Sequence, residues 1–586
     1  MSGDPAGGDA TFHLQPPSGQ YDNLFHINPD YLKSEYAEHV KDILFGNSHN
    51  DETSKKPFPH LSLNNFLAST KAVDLLRAEL RKAPWTKKEN DLYTLSRTTD
   101  LQNFDATIYP ILKSFRKFLA TKVRDLLMKI TGIKLNGRVD VAGSKYEQYD
   151  MLLPHDDRME ERKFAFIFYL SPEWDSEWGG NLQLFNSDEN YYPTNVAKSI
   201  TPLNNSFLFF DIDHSLGHTS WHCVEEVTEA GKARISLNGW FHIDDTPPST
   251  KLPPLPTIEK LTPTLDIQYE DVRKWINPLY IAQQEQKAIK RLFATKSELK
   301  LDNFLTDEMY KQALAELKSA KFDQKGPVNS RSIGRLDEAS LPENSVIAQL
   351  LRLVCSEAIT LLITQWTGLH LYDLKSLEEE TTSSTKPSQE EDDNDDGPPT
   401  KKSKCTVDVE APPTQKSKPS ENLGEKKKKD VKVVSFINKM SHGCYSLCDD
   451  QMAADAENNG FCFDFLIFFM EKEVWEKLGG GYYSYIAVND PNEILRVQPS
   501  PNSVAFVFRE PEVLSFIKYI NARVGEDCYY VLNCSFFGAT SGESDSEASV
   551  DSDPDGLDED DSNWEDFDEI EPEDNDEEDE QRSEAE

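Results

Sequence analysis

The sequence predicts an α+β protein with two tandem jelly-roll domains (double-stranded β-helices), each preceded by helices, the second being degenerate. Apolar residues recur at helical spacing in "KAVDLLRAELRKA" and "YPILKSFRKFLATKVRDLLMKI". Short aromatic and aliphatic segments such as "FAFIFYL" and "SFLFFDI" follow after residue 138. Many short strands separated by turn residues are typical of a double-sheet jelly roll and not of a parallel α/β sheet.

The two domains are predicted from motifs that recur in the same order. "LSLNNFL" at 61–67 returns as "LKLDNFL" at 299–305, and "NSFLFF" at 205–210 returns as "NSVAFVF" from 502. A glycine turn also recurs, in "WDSEWGGNLQLF" and "WEKLGGGYYSYI". Because chance matches seldom keep their order, these motifs indicate a tandem duplication.

The spacing of the recurring motifs supports the duplication. Phe66 and His155 are 89 residues apart, whereas their counterparts Phe304 and Cys448 are 144 apart. The difference of 55 equals the length of a low-complexity segment, residues 376–430, that is rich in Pro, Ser, Lys and acid. Without that insert the two halves have the same spacing.

These boundaries give a predicted domain organisation. The chain divides into a disordered N-terminus (1–25), a catalytic jelly roll (26–243), a Pro-rich linker (244–264), a second non-catalytic jelly roll with a disordered insert (265–540, insert 376–430), and an acidic disordered tail (541–586).

Charge is concentrated in the tail. Residues 541–586 hold 24 acidic residues and one arginine, which contribute −23 of the total charge of −41. Such a surface argues against nucleic acid as the default partner and allows basic proteins, such as ribosomal proteins or histones, as partners. The alternative is a tail that only maintains solubility. With no signal pattern and no apolar run of about 18 residues, we expect a protein that does not associate with membranes.

A histidine and an aspartate interrupt the apolar segment "YDMLLPHDDRM". Because side chains alternate along a strand, His155 and Asp157 are predicted to face the same side. A histidine from a later strand would complete a 2-His-1-carboxylate triad, which leaves open positions on Fe(II). Of His214, His218 and His222, the last is the best candidate because it lies in a strand-like segment. The alternative for the charged pair is a solvated turn.

Arg234 follows His222 by twelve positions and begins the strand "ARISLNGWF". If the two strands pair through the turn "TEAGK", His222 and Arg234 come close together. A guanidinium there can bind the far carboxylate of a metal-bound dicarboxylate in a bidentate fork. Alone, Arg234 would more often be a surface charge.

The ordered set of motifs from about 138 to 242 resembles the iron(II)/2-oxoglutarate oxygenases of the prolyl-hydroxylase type. The two-half layout with an acidic tail resembles more closely the eukaryotic ribosomal prolyl 3-hydroxylases. That resemblance implies Fe(II) as cofactor, 2-oxoglutarate and O2 as cosubstrates, and ascorbate as reductant. It also implies a substrate, a proline of the small-subunit ribosomal protein at the decoding centre, and hence an effect on translation.

The resemblance implies a role for six residues. His155, Asp157 and His222 are expected to bind iron, and Arg234, Tyr169 and Tyr146 to bind 2-oxoglutarate. For Tyr169, which lies in the apolar segment "FIFYL", the alternative is ordinary core packing.

In the second half the ligand positions are replaced. Cys448 stands at the position of His155, Tyr529 at that of Arg234 and Ile517 at that of His222, while Asp450 is retained. One carboxylate cannot retain iron, so this half is predicted to be non-catalytic. It serves either as a binding surface or as a stabilising copy.

Two lysine-rich runs, at 398–404 and 426–429, are candidates for a bipartite nuclear import signal. The family's distribution agrees, so we expect the protein in the nucleus and cytoplasm. Two other functions remain open: an iron/2-oxoglutarate demethylase of histones or nucleic acid, and an interaction scaffold that uses the second domain and the acidic tail.

Overall fold

The computed structural model describes residues 21–45, 56–371 and 431–539, apart from short gaps at 22, 160, 213–218, 245–251, 255–258, 266, 343, 370, 449–460, 472–474, 476–478, 489 and 491. The predicted disordered insert (376–430), the acidic tail (541–586) and most of the predicted disordered N-terminus lie outside these residues. His214, His218 and Asp450 also lie outside them.

The first half, residues 21–244, carries helices at its beginning and strands after them. Its helices are α1 Ser34–Phe45, α2 Thr70–Leu80, α3 Pro110–Phe118 and α4 Arg124–Thr131. Its strands are β1 His60–Leu63, β2 Thr86–Glu89, β3 Tyr93–Arg97, β4 Val139–Tyr146, β5 Met151–His155, β6 Arg162–Tyr169, β7 Leu182–Ser187, β8 Pro193–Ile200, β9 Ser206–Asp211, β10 His222–Val224 and β11 Arg234–His242.

These strands form a curled antiparallel sheet in the order β1-β9-β6-β11-β4-β3-β5-β10-β7-β8, with β2 beside β3. Strand β6 shows why the sheet curls around an interior. Phe164, Phe166 and Phe168 pack with the helices, while Ile167 and Tyr169 belong to a second cluster on the opposite face. Because side chains alternate along a strand, one strand supplies both the helix-facing core and the interior.

The second half, residues 259–539, has helices α5 Tyr269–Trp275, α6 Pro278–Ile281, α7 Gln283–Lys296, α8 Asp307–Ser319, α9 Val346–Val354 and α10 Glu357–Thr367. Its strands are β12 Glu298–Leu301, β13 Phe322–Lys325, β14 Arg331–Leu336, β15 Lys432–Met440, β16 Tyr445–Ser446, β17 Phe461–Phe469, β18 Tyr483–Ala487, β19 Glu493–Val497, β20 Ser503–Arg509, β21 Val513–Ile517 and β22 Tyr529–Ala539. Their order is β12-β20-β17-β22-β15-β14-β16-β21-β18-β19, with β13 beside β14. Each strand number in this order is eleven higher than in the first sheet.

The two halves contact each other through polar and apolar groups. Glu226, which is 4% exposed, accepts hydrogen bonds from His442, Tyr519 and the backbone N–H of Ala522. A small apolar cluster joins Met151, Leu153 and Leu92 of the first half to Tyr445, Leu447 and Tyr519 of the second. Among the described helices, none combines the length and the apolar composition needed to cross a bilayer.

Candidate active site

Three side chains converge inside the first sheet. The ligand atoms of His155, Asp157 and His222 all lie within 4.8 Å of one another. The two His Nε2 atoms lie 3.5 and 3.6 Å from the Asp157 carboxylate oxygens, and the imidazole centroids are 4.2 Å apart. Two imidazole nitrogens and one carboxylate form the donor set of a facial triad.

Strand register and a backbone turn produce this convergence. His222 of β10 pairs directly with His155 of β5 in the antiparallel ladder. The prediction that His155 and Asp157 face one side through strand alternation is wrong. Strand β5 ends at His155, and Asp157 lies beyond it with a left-handed backbone, φ 58°. That turn, and not the period of the strand, brings the carboxylate beside the imidazoles.

The groups behind the ligands fix their orientation. His155 Nδ1 lies 2.8 Å from the Leu153 carbonyl, and His222 Nδ1 lies 2.7 Å from the Ser220 carbonyl. Each Nδ1–H that donates to a carbonyl leaves Nε2 as a lone-pair donor toward the shared centre. Trp240 Nε1 donates to Asp157 Oδ2 at 3.1 Å, so the carboxylate is also held from behind.

The electrostatics favour the protonation states that bind a cation. Burial, together with the neighbouring His222, lowers the pKa of His155 to about 4. Burial opposes the charged form of Asp157, but the neighbouring His222 and His155 and the N–H of Trp240 outweigh it, so the pKa of this carboxyl lies well below its usual range. A neutral imidazole beside a carboxylate is the form that accepts a metal ion.

The strand pairing that places Arg234 near the triad differs from the predicted one. The hairpin prediction for His222 and Arg234 is wrong, because β10 pairs with β5 and β7, whereas β11 pairs with β4 and β6. The two residues nevertheless line one cavity of about 280 Å³, from strands that are four places apart in the sheet order.

The guanidinium of Arg234 is 1% exposed, and its Nε and Nη2 have no hydrogen-bond partner among the described residues. Its Cζ lies 4.9 Å from the Tyr146 ring centroid and 5.2 Å from that of Tyr169. A buried charge without partners is costly, so the site fits an anionic ligand. The predicted arrangement of 2-oxoglutarate has one carboxylate on a metal ion at the triad and the other on Arg234.

The other two predicted cosubstrate residues are placed differently. Tyr146 lines the cavity, and burial raises its pKa to about 12, so its hydroxyl remains protonated. Tyr169 does not line the cavity and contacts Arg234 from behind. Its hydroxyl has no hydrogen-bond partner in the part of the chain that the structure describes. The cosubstrate roles of Arg234, Tyr146 and Tyr169 stay predictions, as do the metal roles of the triad.

Sequence reasoning missed three polar residues of the same strand. Ser236, Asn238 and Trp240 line the cavity at alternate positions after Arg234. Ser236 Oγ and Asn238 Oδ1 also lack hydrogen-bond partners within the described ranges. Counting every second residue from Arg234 along the predicted strand would have identified them.

The equivalent positions of the second sheet carry other groups. Leu184 pairs with His222 as Tyr485 pairs with Ser515, so Ser515, and not Ile517 as predicted, occupies the position of His222. Tyr529 occupies the position of Arg234, as predicted, and its hydroxyl donates to the Gly481 carbonyl at 2.5 Å. The described part of the second sheet therefore lacks the distal imidazole and the guanidinium of the first.

Comparison with known proteins gives two family matches. The model of the 2OG-Fe(II) oxygenase superfamily matches residues 141–242, the segment that carries the triad and Arg234. A model described as oxoglutarate and iron-dependent oxygenase degradation C-term matches residues 267–544.

Two relatives match along most of their length. Prolyl 3-hydroxylase OGFOD1 of Mus musculus is 32% identical over 482 residues, which span 80% of this chain and 85% of the relative. The protein of the same name from Xenopus laevis is 32% identical over 472 residues, 80% of this chain and 84% of the relative.

Solved structures match about a third of the chain at low similarity. A Pseudomonas putida prolyl-4-hydroxylase is 20% identical, covers 31% of this chain and 91% of its own, and has a TM-score of 0.25. A prolyl hydroxylase from Trichoplax adhaerens is 16% identical, covers 36% of this chain and 91% of its own, and has a TM-score of 0.27. The family assignment depends on the sequence matches. By these matches, the chain belongs to the prolyl 3-hydroxylase family of 2-oxoglutarate- and iron(II)-dependent oxygenases.

Proposed function

We propose that this chain hydroxylates a proline of a small-subunit ribosomal protein at C3 and thereby affects translation. The family supplies the reaction class: a 2-oxoglutarate-dependent prolyl hydroxylase that uses Fe(II) and O2. The observation that carries the proposal is the combination, in one cavity, of the His155, Asp157 and His222 donor set with a buried Arg234 whose Nε and Nη2 have no hydrogen-bond partner among the described residues.

Each residue has a definite task in this proposal. His155, Asp157 and His222 hold iron, which with 2-oxoglutarate and O2 supplies the oxidation that hydroxylates an unactivated C–H bond. Arg234 binds the remote carboxylate of 2-oxoglutarate in a fork, and the rings of Tyr146 and Tyr169 keep the guanidinium in place. Trp240 fixes the carboxylate of Asp157. No general base is required.

Access to the cavity is from the side where its lining is exposed. Met159 is 57% exposed there, and Arg162 stacks on Trp240 with 3.6 Å between its Cζ and the ring centroid. Arg234 lies at the buried end. A small dicarboxylate is therefore bound at the closed end, and a protein loop carrying proline enters from the open end.

We further infer that the second half is a degenerate, non-catalytic copy of the first jelly roll. The identical strand order of the two sheets supports this inference, as do the replacements Ser515 and Tyr529 at the positions of His222 and Arg234. Its role is that of a support or binding surface.

The experiment is mass spectrometry of small-subunit ribosomal proteins from cells that carry wild-type or His155→Ala protein. We expect one decoding-centre peptide to gain a single oxygen on proline only with the wild type. Amino-acid analysis against authentic 3- and 4-hydroxyproline then identifies the oxidised carbon. Ascorbate as reductant is tested separately, by measuring how far the activity of the purified enzyme depends on added ascorbate.

Two other outcomes are informative. If ribosomal prolines do not differ while purified protein still converts 2-oxoglutarate to succinate, the substrate proposal fails, and demethylation of histones or nucleic acid must be tested. If His155→Ala retains the full cellular phenotype, a scaffold function replaces the enzymatic one. The lysine runs at 398–404 and 426–429 lie outside the described residues, so we propose nuclear and cytoplasmic localisation on the sequence alone.

A further inference from the structure

The hairpin of β2 and β3 forms one wall of the catalytic cavity. Five of its residues line the cavity: Lys88, Leu92, Tyr93, Leu95 and Arg97. Lys88 is exposed and Tyr93 is half-buried, so this wall borders the open end through which a protein substrate enters. The position of the hairpin therefore sets the shape of the substrate entrance.

Within the first half the hairpin is attached along β3, at both ends of the strand. Strand β3 pairs with β4 through Ser96 and Arg97, and with β5 through Tyr93 and Thr94. Lys87 adds an ion pair with Asp150 at 2.5 Å. The turn, residues 90–92, has one backbone hydrogen bond to the rest of the described first half, from the N–H of Leu153 to the carbonyl of Leu92 at 2.9 Å.

The second half holds the turn. Lys518 Nζ donates to the carbonyl of Asn90 at 2.5 Å, lies 3.5 Å from the carbonyl of Tyr93, and pairs with the Glu89 carboxylate at 3.1 Å. The backbone N–H of Cys448 donates to Asp91 Oδ2 at 3.1 Å.

Apolar packing acts at the same place. Leu92 packs in the small cluster with Tyr445, Leu447 and Tyr519 of the second half. The side chain of Lys518 is only 6% exposed. A buried ammonium is tolerated only where its hydrogen bonds are satisfied. The position of the Lys518 ammonium and the positions of the Asn90 and Tyr93 carbonyls therefore determine each other.

We propose that Lys518 of the second half is a positioning residue, which holds the β2–β3 turn so that the hairpin forms the substrate-facing wall of the active site. The effect on catalysis rests on the proposed prolyl hydroxylation, whereas the effect on the hairpin does not. The second half then contributes to the reaction without a ligand of its own. Lys518 touches neither cosubstrate nor substrate.

The test compares full-length Lys518→Met and Lys518→Arg with the wild type. Methionine keeps the apolar stem and removes the charge, whereas arginine keeps the charge and its donors. Hydrogen–deuterium exchange of peptides covering 86–97 reports on the hairpin directly. Steady-state kinetics with a proline peptide separate KM for the peptide from kcat and from KM for 2-oxoglutarate. The amount of 2-oxoglutarate consumed per hydroxyproline formed reports on coupling.

We expect Lys518→Met to increase exchange in 86–97 but not in β11. We also expect it to raise KM for the peptide about tenfold, since displacement of about 1 Å near a reaction centre has large effects, and to increase uncoupled consumption of 2-oxoglutarate. Lys518→Arg should retain most of the wild-type protection from exchange in 86–97, and its KM for the peptide and its coupling should stay close to the wild-type values. The matched control is Arg523→Ala, which removes another contact between the halves, 4.6 Å over the Tyr149 ring, that does not involve the hairpin.

Three results would overturn the proposal: unchanged exchange in 86–97, increased exchange with unchanged peptide KM and coupling, or the same effects in Arg523→Ala. If the wild type hydroxylates no proline, the proposed function fails. Hydrogen–deuterium exchange of 86–97 does not need a proline substrate, so it then still decides whether Lys518 positions the hairpin. Turnover of 2-oxoglutarate without a proline substrate is compared in the same variants.

Discussion

The triad side chains depend on the groups behind them. Backbone carbonyls of Leu153 and Ser220 accept from the two imidazoles, and the indole of Trp240 donates to the carboxylate of Asp157. The two carbonyls cannot be removed by substitution, but the indole can. Trp240 is therefore the residue at which support of the metal site is most easily measured.

Trp240→Phe removes the N–H that donates to Asp157 while keeping an aromatic ring. We expect affinity for Fe(II), or for Mn(II) as a redox-stable substitute, to fall about tenfold, the lower end of the range for such supporting bonds. Calorimetric titration of the purified protein measures this. Trp85→Phe is the matched control, because Trp85 lies outside the cavity lining. Equal loss in both variants would contradict the role of the indole.

Arg234→Lys keeps a positive charge at the buried end of the cavity but replaces the planar fork with a single ammonium. We expect the affinity for 2-oxoglutarate to fall about tenfold or more, because bidentate recognition of the carboxylate is lost. Binding of Mn(II) should change little. Titration of Mn(II)-loaded protein with 2-oxoglutarate separates the affinity for 2-oxoglutarate from the affinity for Mn(II). Unchanged 2-oxoglutarate binding would exclude Arg234 as a residue that binds the cosubstrate.

At the scale of the element, β11 is the central strand of the first sheet. It pairs with β4 on one side and β6 on the other, and it carries Arg234, Ser236, Asn238 and Trp240 into the cavity. Gly239 lies among them. A Cβ at this position would lie 1.7 Å from the carbonyl oxygen of Asp140 in the neighbouring strand.

Gly239→Ala should therefore disturb the pairing of β11 with β4. We expect the free energy of unfolding to fall by about 3 kcal/mol, the upper range for overpacking in a well-packed region, with loss of metal affinity. Denaturant unfolding measures the first effect. Gly137→Ala, where the nearest atom is 3.9 Å from the added Cβ, is the control and should cost much less. Equal stability of the two variants would show that the backbone of β11 shifts to accommodate the added methyl group.

The sequence predicts only part of this level. The helical spacing of the early segments predicts α2 and α3, whereas the predicted placement of Arg234 near His222 depends on a hairpin that β10 and β11 do not form. Which strands pair is a long-range property, so the partner of β10 could not be read from its neighbour in sequence. The left-handed turn at Asp157 likewise depends on the fold, since aspartate carries no signal that requires it.

At the scale of the whole molecule, the two halves share buried polar contacts. Glu226 of the first half accepts from His442, Tyr519 and Ala522 of the second. The hydrogen bond to this carboxylate is the main cause that raises the pKa of His442 above its usual 6.5. The contact is therefore sensitive to pH in a predictable direction.

A histidine whose pKa is raised on folding stabilises the fold fully below its unfolded pKa, and this contribution disappears as pH rises through the folded pKa. We expect His442→Gln to lower stability at about pH 6 and to have little effect at about pH 9. Denaturant unfolding at both pH values measures the difference. His39→Gln, at an exposed position of α1, is the control. A difference independent of pH would exclude the charged contact.

The contacts of the buried Glu226 have a consequence for where inactivating missense variants occur. The three donors to Glu226 belong to the other half, so a substitution of His442 or Tyr519 removes one hydrogen bond from a buried carboxylate of the first half, which costs about 1–3 kcal/mol. Small folded proteins are often only about 5–15 kcal/mol stable. Inactivating missense variants should therefore map to both halves of the gene product, including the second half, whose described sheet lacks the distal imidazole of the triad.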